Sequence, residues 1–172
     1  MKTKIFPFLL IIIISVIFVI FYKGLQNSNV YEPQIGNQKN IPFFVAKAFE
    51  TEEIFKSEDI FEEDKFYLMN IWSSWCAPCR DEHKFLLNLS TQKNLKIVGL
   101  NYKDKKKNAI NFLKELDNPY DFIFSDTDGT LAIEWGAYGV PESFLLYKNK
   151  IVKKIIGPID QNLFIEIKEL IQ

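Results

Sequence analysis

The sequence predicts an α/β domain in which helices flank a central mixed β-sheet, preceded by one N-terminal transmembrane helix. Apolar runs of strand length alternate with amphipathic helical segments along the chain, and a strand hairpin and a helix close it. This order of elements is typical of a mixed sheet with helices on both faces. The transmembrane helix is predicted from a long uncharged apolar run near the N-terminus.

Residues 1–23 are predicted to form a membrane anchor. The run Ile5 to Tyr22 contains no charged residue, and a helix of that length roughly spans the hydrocarbon core of a bilayer at about 1.5 Å per residue. No small-x-small cleavage site follows, which favours an uncleaved anchor over a cleaved signal peptide or a buried soluble helix. Because Lys2, Lys4 and the amino terminus outweigh Lys23, the positive-inside rule puts the N-terminus in the cytoplasm and the rest outside.

Residues 24–41 are polar and predict a linker, and residues 42–172 are predicted to form one folded domain. The predicted strands of this domain are Phe43–Phe49, Phe66–Trp72, Leu95–Leu100, Phe122–Phe124, Ser143–Tyr147 and Ile151–Ile155, of which the last two form a hairpin. The predicted helices are Ala77–Leu89, Lys105–Leu116, Gly129–Trp135 and a last helix. Asp160 is the predicted N-cap of this last helix, and Ile167 and Leu170 are predicted to pack it against the domain. The acidic segment Thr51–Asp64 is predicted to be weakly helical.

Composition sets broad limits on function. A chain of 172 residues with a hydrophobic content of 48% holds one domain and an additional segment. The formal net charge of −1 gives no indication of nucleic-acid binding.

The only two cysteines of the chain lie in Cys76-Ala77-Pro78-Cys79, shortly after the predicted buried strand Phe66–Trp72. A spacing of three residues is about one helical turn, so two thiols at the start of a helix can close a disulfide and reopen it. A strand that leads into Cys-x-x-Cys predicts a thioredoxin-like redox site. Cys76 is predicted at the helix N-terminus, where free N–H groups and the helix dipole favour the attacking thiolate.

Three other interpretations of the cysteine pair are less favoured than a redox site. A zinc site needs about four ligands, and the chain offers two cysteines and one histidine, His83. A static structural disulfide would close a very small loop and so constrain the unfolded chain little. A pair of packing cysteines would leave Pro78 and Trp75 without a role. We therefore predict no metal site and no cofactor.

A second motif, Gly139-Val140-Pro141-Glu142, precedes the predicted hairpin. The chain resembles the CcmG/DsbE family, the membrane-anchored thioredoxin-like proteins of cytochrome c maturation. The matching residues are 70–80, 82–83, 98–104, 118–120, 128–129, 136–144 and 157–158. The most specific of them are Asn101-Tyr102-Lys103-Asp104 and Tyr138-Gly139-Val140-Pro141-Glu142. The resemblance covers about residues 42–160 and the anchor, with Ala137 and Ser143 where valine and threonine are commoner.

The resemblance implies a thioredoxin-like fold and a role for each central residue. Cys76 would be the attacking thiol and Cys79 the resolving thiol. Pro141 would be a cis-proline beside them, with its neighbours forming a groove for the backbone of a partner.

Asn70 stands six residues before Cys76, where thioredoxins usually carry a buried aspartate. Since asparagine cannot take a proton, another carboxylate must serve Cys79. Glu142, next to Pro141, and Glu82, one turn after Cys79, are the candidates, with Glu142 preferred. A carboxylate near a buried thiol can act as a general base and raises the pKa of that thiol. The alternative for each is a solvated surface residue.

The remaining residues near the two motifs have simpler interpretations. Trp72 is expected in the core, Trp75 at the rim or on the substrate, and Tyr138 in the groove wall or the core. Arg80 is expected to be a solvated cation and His83 a helix-surface or packing residue. Lys103 and Lys105–Lys107 are expected to form a solvated helix start, with a membrane-surface contact as the alternative.

The function implied by the resemblance is that of a thiol:disulfide oxidoreductase, a protein-disulfide reductase, single-pass in the inner membrane with its redox domain on the periplasmic side. Its partners would be apocytochrome c or another cytochrome c maturation protein, and a transmembrane electron donor, because a cysteine pair in that compartment is ordinarily oxidised. A general extracytoplasmic thioredoxin-like reductase, an oxidant and a redox-inert thioredoxin-fold binding module stay open, since direction depends on potential and electron supply.

Overall fold

The computed structural model describes residues 5–26, 39–61 and 64–172. The chain divides into two compact units, Met1–Gln34 and Ile35–Gln172. In the first unit, helix α1 runs over Ile5–Gln26. Among the described residues, none of the helices combines the length and the apolarity needed to cross a membrane, so the membrane anchor stays a prediction. Residues 27–38, most of the predicted linker, lie outside the described part of the chain.

The second unit is an α/β domain. Its strands are β1 (Lys39–Asn40), β2 (Val45–Ala48), β3 (Ile54–Lys56), β4 (Phe66–Trp72), β5 (Leu95–Tyr102), β6 (Phe122–Asp126), β7 (Glu142–Tyr147) and β8 (Lys150–Ile156). Its helices are α2 (Ala77–Leu89), α3 (Lys106–Leu116), α4 (Thr130–Glu134) and α5 (Gln161–Leu170), and Ser57–Asp59 forms one 3-10 turn.

The described strands form one mixed sheet in the order β1-β8-β7-β4-β5-β6-β2-β3. Strand β4 pairs in parallel with β5, and β5 with β6, because the crossover helices α2 and α3 return the chain to the same end of the sheet. The remaining neighbours pair antiparallel, including the β7–β8 hairpin. The predicted mixed sheet is confirmed, with β4 and β5 at its centre.

Alternate residues of β4 pack into two separate cores. Leu68 and Trp72 lie in a core with side chains from three helices, α2, α3 and α5. Met69 and Ile71 lie in the core on the opposite face, where α4 contributes Ala132. Burial of both faces explains why β4 is apolar at every position except Asn70 instead of alternating between apolar and polar residues.

The predicted weak helix over Thr51–Asp64 is wrong. The described residues of this segment form β3 and the 3-10 turn instead. Glu52 takes a left-handed conformation (φ 62°), which turns the chain back so that β3 pairs antiparallel with β2. The backbone ladder outweighs the weak helical preference of an acidic sequence.

The last helix begins as predicted, but one of its packing residues is different. The Asp160 carboxylate accepts hydrogen bonds from the N–H groups of Asn162 and Leu163, which is the N-cap arrangement. Ile167 is fully buried, whereas Leu170 is 48% exposed and Ile171 packs into the core in its place.

Candidate active site

The two cysteines form a disulfide at the N-terminus of α2. Cys76 is the N-cap residue with an extended backbone, and its Sγ accepts a hydrogen bond from the Cys79 N–H at 3.1 Å. Pro78 fits the first turn because the N–H that it lacks has no intrahelical partner there. Cys76 is 5% exposed and Cys79 2%. Negative charge on the Cys76 sulfur is therefore stabilised by an N–H donor and the helix dipole.

Strand β7 brings the second motif beside the disulfide. It pairs with β4 so that Glu142 lies opposite Ile71 and Ser143 opposite Asn70, near the end of β4 from which the chain continues to Cys76. The Val140–Pro141 peptide bond directly before β7 is cis, as the resemblance implies. The two motifs, which lie far apart in the sequence, thus meet at the same end of the central sheet.

A buried hydrogen-bond network connects this end of β4 to α2 and β7. Asn70 is fully buried, and its Nδ2 donates to Glu82 Oε1 and to Ser143 Oγ, each at 2.9 Å. Its Oδ1 accepts from the Tyr120 hydroxyl at 2.9 Å. The Ile159 N–H donates to Glu82 Oε2 at 2.7 Å. Asn70 therefore does not replace the usual aspartate as a charge; it holds Glu82 in place.

Burial changes the ionisation of Glu82. The side chain is 1% exposed, and desolvation raises its pKa from an ordinary value of 4.5 to about 7, although the hydrogen bonds from Ile159 and Asn70 oppose that rise. The same burial, with the Glu82 charge as a second cause, raises the pKa of Tyr120 well above its ordinary value. At neutral pH the Glu82 carboxyl is present in both protonation states, so it can accept a proton and return it.

Glu142 is also buried, but its carboxylate is engaged elsewhere. Its Oε1 accepts from the N–H groups of Tyr138 and Gly139 at 2.6 and 3.0 Å. Its Oε2 makes no hydrogen bond of good geometry and lies 2.9 Å from Lys154 Nζ, which compensates its charge. Burial therefore excludes the solvated-surface interpretation for both acids. The two differ in that Glu142 has a cation beside it, whereas Glu82 accepts hydrogen bonds from neutral groups.

The rim of the site carries two exposed aromatic residues. Trp75 is 58% exposed, and its indole N–H donates to the Lys103 carbonyl at 3.1 Å. Tyr138 is 70% exposed, which places it on the surface and not in the core. Trp75 directly precedes Cys76, and Tyr138 lies three residues before Pro141. Because both side chains are exposed close to the two motifs, they can contact a partner protein.

Arg80 and His83 connect α2 to α3 and the segment after it. Arg80 is exposed, as expected for a solvated cation, and it also makes a two-pronged surface ion pair with Glu115 (2.7 and 3.3 Å) and lies over the Phe112 ring. His83 is buried and packs edge-on against Phe112. Its Nε2 lies 2.9 Å from the Asp117 carbonyl, which only accepts, so the ring carries its proton at Nε2. Burial lowers the pKa of His83.

Sequence reasoning missed the roles of Asp104 and Lys154. Asp104 accepts from the Ser74 N–H at 2.6 Å and from the Ser74 hydroxyl at 2.8 Å, and so fixes the segment before Cys76. Asp104 belongs to the specific segment Asn101–Asp104, which was the one available signal. Lys154 had no signal beyond its place in a predicted strand. Within the described residues, no cluster of three His, Cys, Asp or Glu side chains is arranged to hold a metal ion.

The fold and the disulfide at the start of α2 define a thioredoxin-like thiol:disulfide oxidoreductase. Residues 37–168 match the Redoxin family model. The chain is 36% identical over 159 residues to the thiol:disulfide interchange protein DsbE of Escherichia coli K12, over 89% of this chain and 84% of that protein. It is 50% identical over 95 residues to the thiol:disulfide interchange protein CycY of Rhizobium leguminosarum bv. viciae, over 55% of this chain and 51% of that protein.

A solved structure shows the same fold. The thioredoxin family thiol:disulfide interchange protein of Chlorobium tepidum TLS superposes with a TM-score of 0.64 at 21% identity, over 78% of this chain and 97% of that chain. The chain belongs to the redoxin family and, within it, to the CcmG/DsbE family of thiol:disulfide oxidoreductases.

Proposed function

We propose that this protein reduces disulfides in apocytochrome c, or in another protein of cytochrome c maturation, on the periplasmic side of the inner membrane. The observation that carries the proposal is the Cys76–Cys79 pair at the N-terminus of α2, with Glu82 one turn further along the same helix. Membership of the CcmG/DsbE family and the segment Tyr138–Glu142 support cytochrome c maturation as the process.

The reaction is a two-step exchange. The Cys76 thiolate attacks one sulfur of the substrate disulfide, a mixed disulfide forms, and the first substrate thiolate leaves. Cys79 then loses its proton and attacks the Cys76 sulfur, which releases the second substrate thiolate. The substrate gains two electrons, and the protein ends with the Cys76–Cys79 disulfide that the structure contains.

Glu82 is the proposed acceptor of the Cys79 proton. Residues three apart on a helix are neighbours on its surface, and both side chains are buried. A carboxyl with a pKa of about 7 is matched to a proton transfer at neutral pH. Glu142 was the preferred candidate from the sequence, but its charge is compensated by the Lys154 ammonium, whereas Glu82 accepts hydrogen bonds only from the neutral groups of Asn70 and Ile159. These contacts favour Glu82.

A reduced pair on the periplasmic side requires an electron supply, which we propose to be a transmembrane donor. The anchor would keep the domain next to that donor. The uncharged run Ile5 to Tyr22 and the excess of positive charge before it support an anchor with an external domain. Membrane fractions are expected to hold the full-length chain, with the redox domain digested by protease added from outside. A soluble mature form that begins near Gly24 or later would refute the anchor.

A peptide assay tests the proposed substrate. The reduced full-length protein is mixed with an oxidised peptide that carries the haem-attachment pattern Cys-x-x-Cys-His, and thiol release is compared with that from insulin. We expect faster reduction of the haem-attachment peptide, and none by the Cys76→Ser variant. Equal rates with both substrates would favour the general reductase, and no reduction of either would refute a reductase function.

A further inference from the structure

Lys154 of β8 is a buried cation beside the loop that leads to Pro141. Its side chain is 7% exposed. Its Nζ donates to the Gly136 carbonyl at 2.7 Å and lies 2.9 Å from Glu142 Oε2. Lys154 therefore connects the beginning of the loop Gly136–Gly139 to the first residue of β7.

Glu142 connects the other end of the same loop to the same cation. Its Oε1 accepts the N–H groups of Tyr138 and Gly139, while its Oε2 faces Lys154. The ion pair thus contacts three backbone groups of one short loop: the Gly136 carbonyl and the N–H groups of Tyr138 and Gly139. This arrangement fixes the loop backbone between Gly136 and the cis-proline.

The side chain that this loop displays is Tyr138. The Lys154 ammonium lies 4.2 Å from the centre of the Tyr138 ring, within the range of a cation–π contact. Tyr138 is nevertheless 70% exposed. Glu142 therefore holds the backbone of Tyr138 and Lys154 contacts its ring, while most of the side-chain surface faces solvent.

Stability alone does not account for this ion pair. A buried ion pair is often no more stable than apolar side chains of similar volume, because desolvation of both charges opposes their attraction. What the pair supplies is a set of directional contacts to the loop, which apolar side chains cannot make. An aromatic ring held rigidly on the surface adds contact area to a protein interface at a small cost in conformational entropy.

We infer that Lys154 and Glu142 are positioning residues that set the preference of this protein for polypeptide disulfides. They hold Tyr138 beside Pro141, where its ring contacts an apolar or aromatic side chain next to the cysteine of an extended partner segment. The inference rests on the proposed reductase function and adds the groups that recognise the substrate.

The test compares Lys154→Met with Lys153→Met in the full-length protein. Lys153 precedes Lys154 in the same strand, and its ammonium pairs with Glu166 of α5 instead. Steady-state reduction of insulin, with dithiothreitol as the electron donor and the uncatalysed rate subtracted, gives KM and kcat. The single-turnover rate of the reduced protein with the small aromatic disulfide dithiobis(nitrobenzoate) gives a reference without a polypeptide. For Lys154→Met we expect KM for insulin to rise about tenfold with a much smaller change in kcat, as for the loss of one aromatic contact. The ratio of the insulin rate to the small-disulfide rate should fall accordingly.

Two further variants protect the test against misfolding. Lys154→Met leaves the Glu142 charge buried without a partner, whereas Glu142→Gln combined with Lys154→Met removes both charges. Tyr138→Leu leaves the ion pair intact, and we expect it to raise KM to the same extent. Tyr138→Leu combined with Lys154→Met should raise KM little further than either change alone, since both remove the same contact with the partner.

The outcomes separate the two proposals. Wild-type KM values in Tyr138→Leu and in the doubly neutral variant would overturn the role of the loop, as would an equal rise in Lys153→Met. A wild-type protein that reduces neither insulin nor the haem-attachment peptide would instead refute the reductase function.

Discussion

Replacement of Glu82 by glutamine is expected to stabilise the oxidised protein at alkaline pH. The Glu82 pKa is about 7 in the folded protein against an ordinary value of 4.5. Between these values the folded state binds more protons than the unfolded state, so the free energy of unfolding falls as pH rises. A pKa difference from 4.5 to about 7 corresponds to about 3 kcal/mol at a pH above both values.

Glutamine can keep one contact of Glu82 but rearranges the rest of the network, and the Tyr120 hydroxyl then loses the Asn70 oxygen as its acceptor. Glu82 Oε2 accepts the Ile159 N–H, a role that the glutamine oxygen can keep. The glutamine NH₂ then faces Asn70, whose amide can rotate so that its oxygen accepts this donor. The rotated Asn70 NH₂ faces the Tyr120 hydroxyl, which can accept as well as donate. The cost of this lost hydrogen bond is the same at acidic and mildly alkaline pH, so the change in the variant's stability gain between the two pH values still reports the buried charge.

Urea denaturation of the oxidised protein at about pH 4 and about pH 8 measures the effect, because disulfide-bonded cysteines do not titrate. We expect the difference in the free energy of unfolding, Glu82→Gln minus wild type, to be about 3 kcal/mol larger at the higher pH than at the lower. His83, with a lowered pKa, makes stability rise with pH over its own range, and this contribution cancels between variants. Asp81→Asn, an exposed neighbour on α2, is the control. A gain that is equal at both pH values, or an equal gain in the control, would refute the reasoning.

Two further changes test the packing and the contacts around the site. Gly99→Ala is expected to lower the free energy of unfolding by about 1–3 kcal/mol, because an added Cβ would lie 2.9 Å from Trp72 Nε1 and 3.0 Å from the Tyr120 ring; an unchanged urea midpoint would contradict the packing. Asp104→Asn is expected to cost about 1–2 kcal/mol and to accelerate hydrogen exchange of the Ser74 amide, which has its acceptor in Asp104. Unchanged exchange at Ser74 would show that this contact does not hold the segment.

The sequence predicted the centre of the domain well. The bounds of Phe66–Trp72 and Ala77–Leu89 are those of β4 and α2. A strand buried on both faces leaves a continuous apolar run, and a proline in the first turn marks a helix start, so both signals are local. The cysteine pair lies at the start of α2, with Cys76 as its N-cap and Cys79 in its first turn, and was recognised for the same reason.

The surroundings of the acids were not predictable, because they depend on contacts between distant parts of the chain. The second acceptor oxygen of Glu82 meets the N–H of Ile159, 77 residues later. Glu142 was preferred for its place next to Pro141, but a neighbour in sequence can point away from the reacting atoms. The partner that compensates its charge, Lys154, comes from another strand of the sheet. The short strand β3 was missed because it is an exposed edge strand without an apolar alternation.

Trapping of a mixed disulfide tests the central assignment, in which Cys76 is the nucleophile and Cys79 the resolving thiol. The reduced Cys79→Ser and Cys76→Ser variants are each mixed with the oxidised haem-attachment peptide, and the adducts are mapped by mass spectrometry without reduction. We predict an adduct through Cys76 in Cys79→Ser, because Cys76 lies at the helix N-terminus and accepts the residue 79 N–H, and very little adduct in Cys76→Ser. Equal adduct in both variants, or adduct through Cys79 alone, would contradict the account.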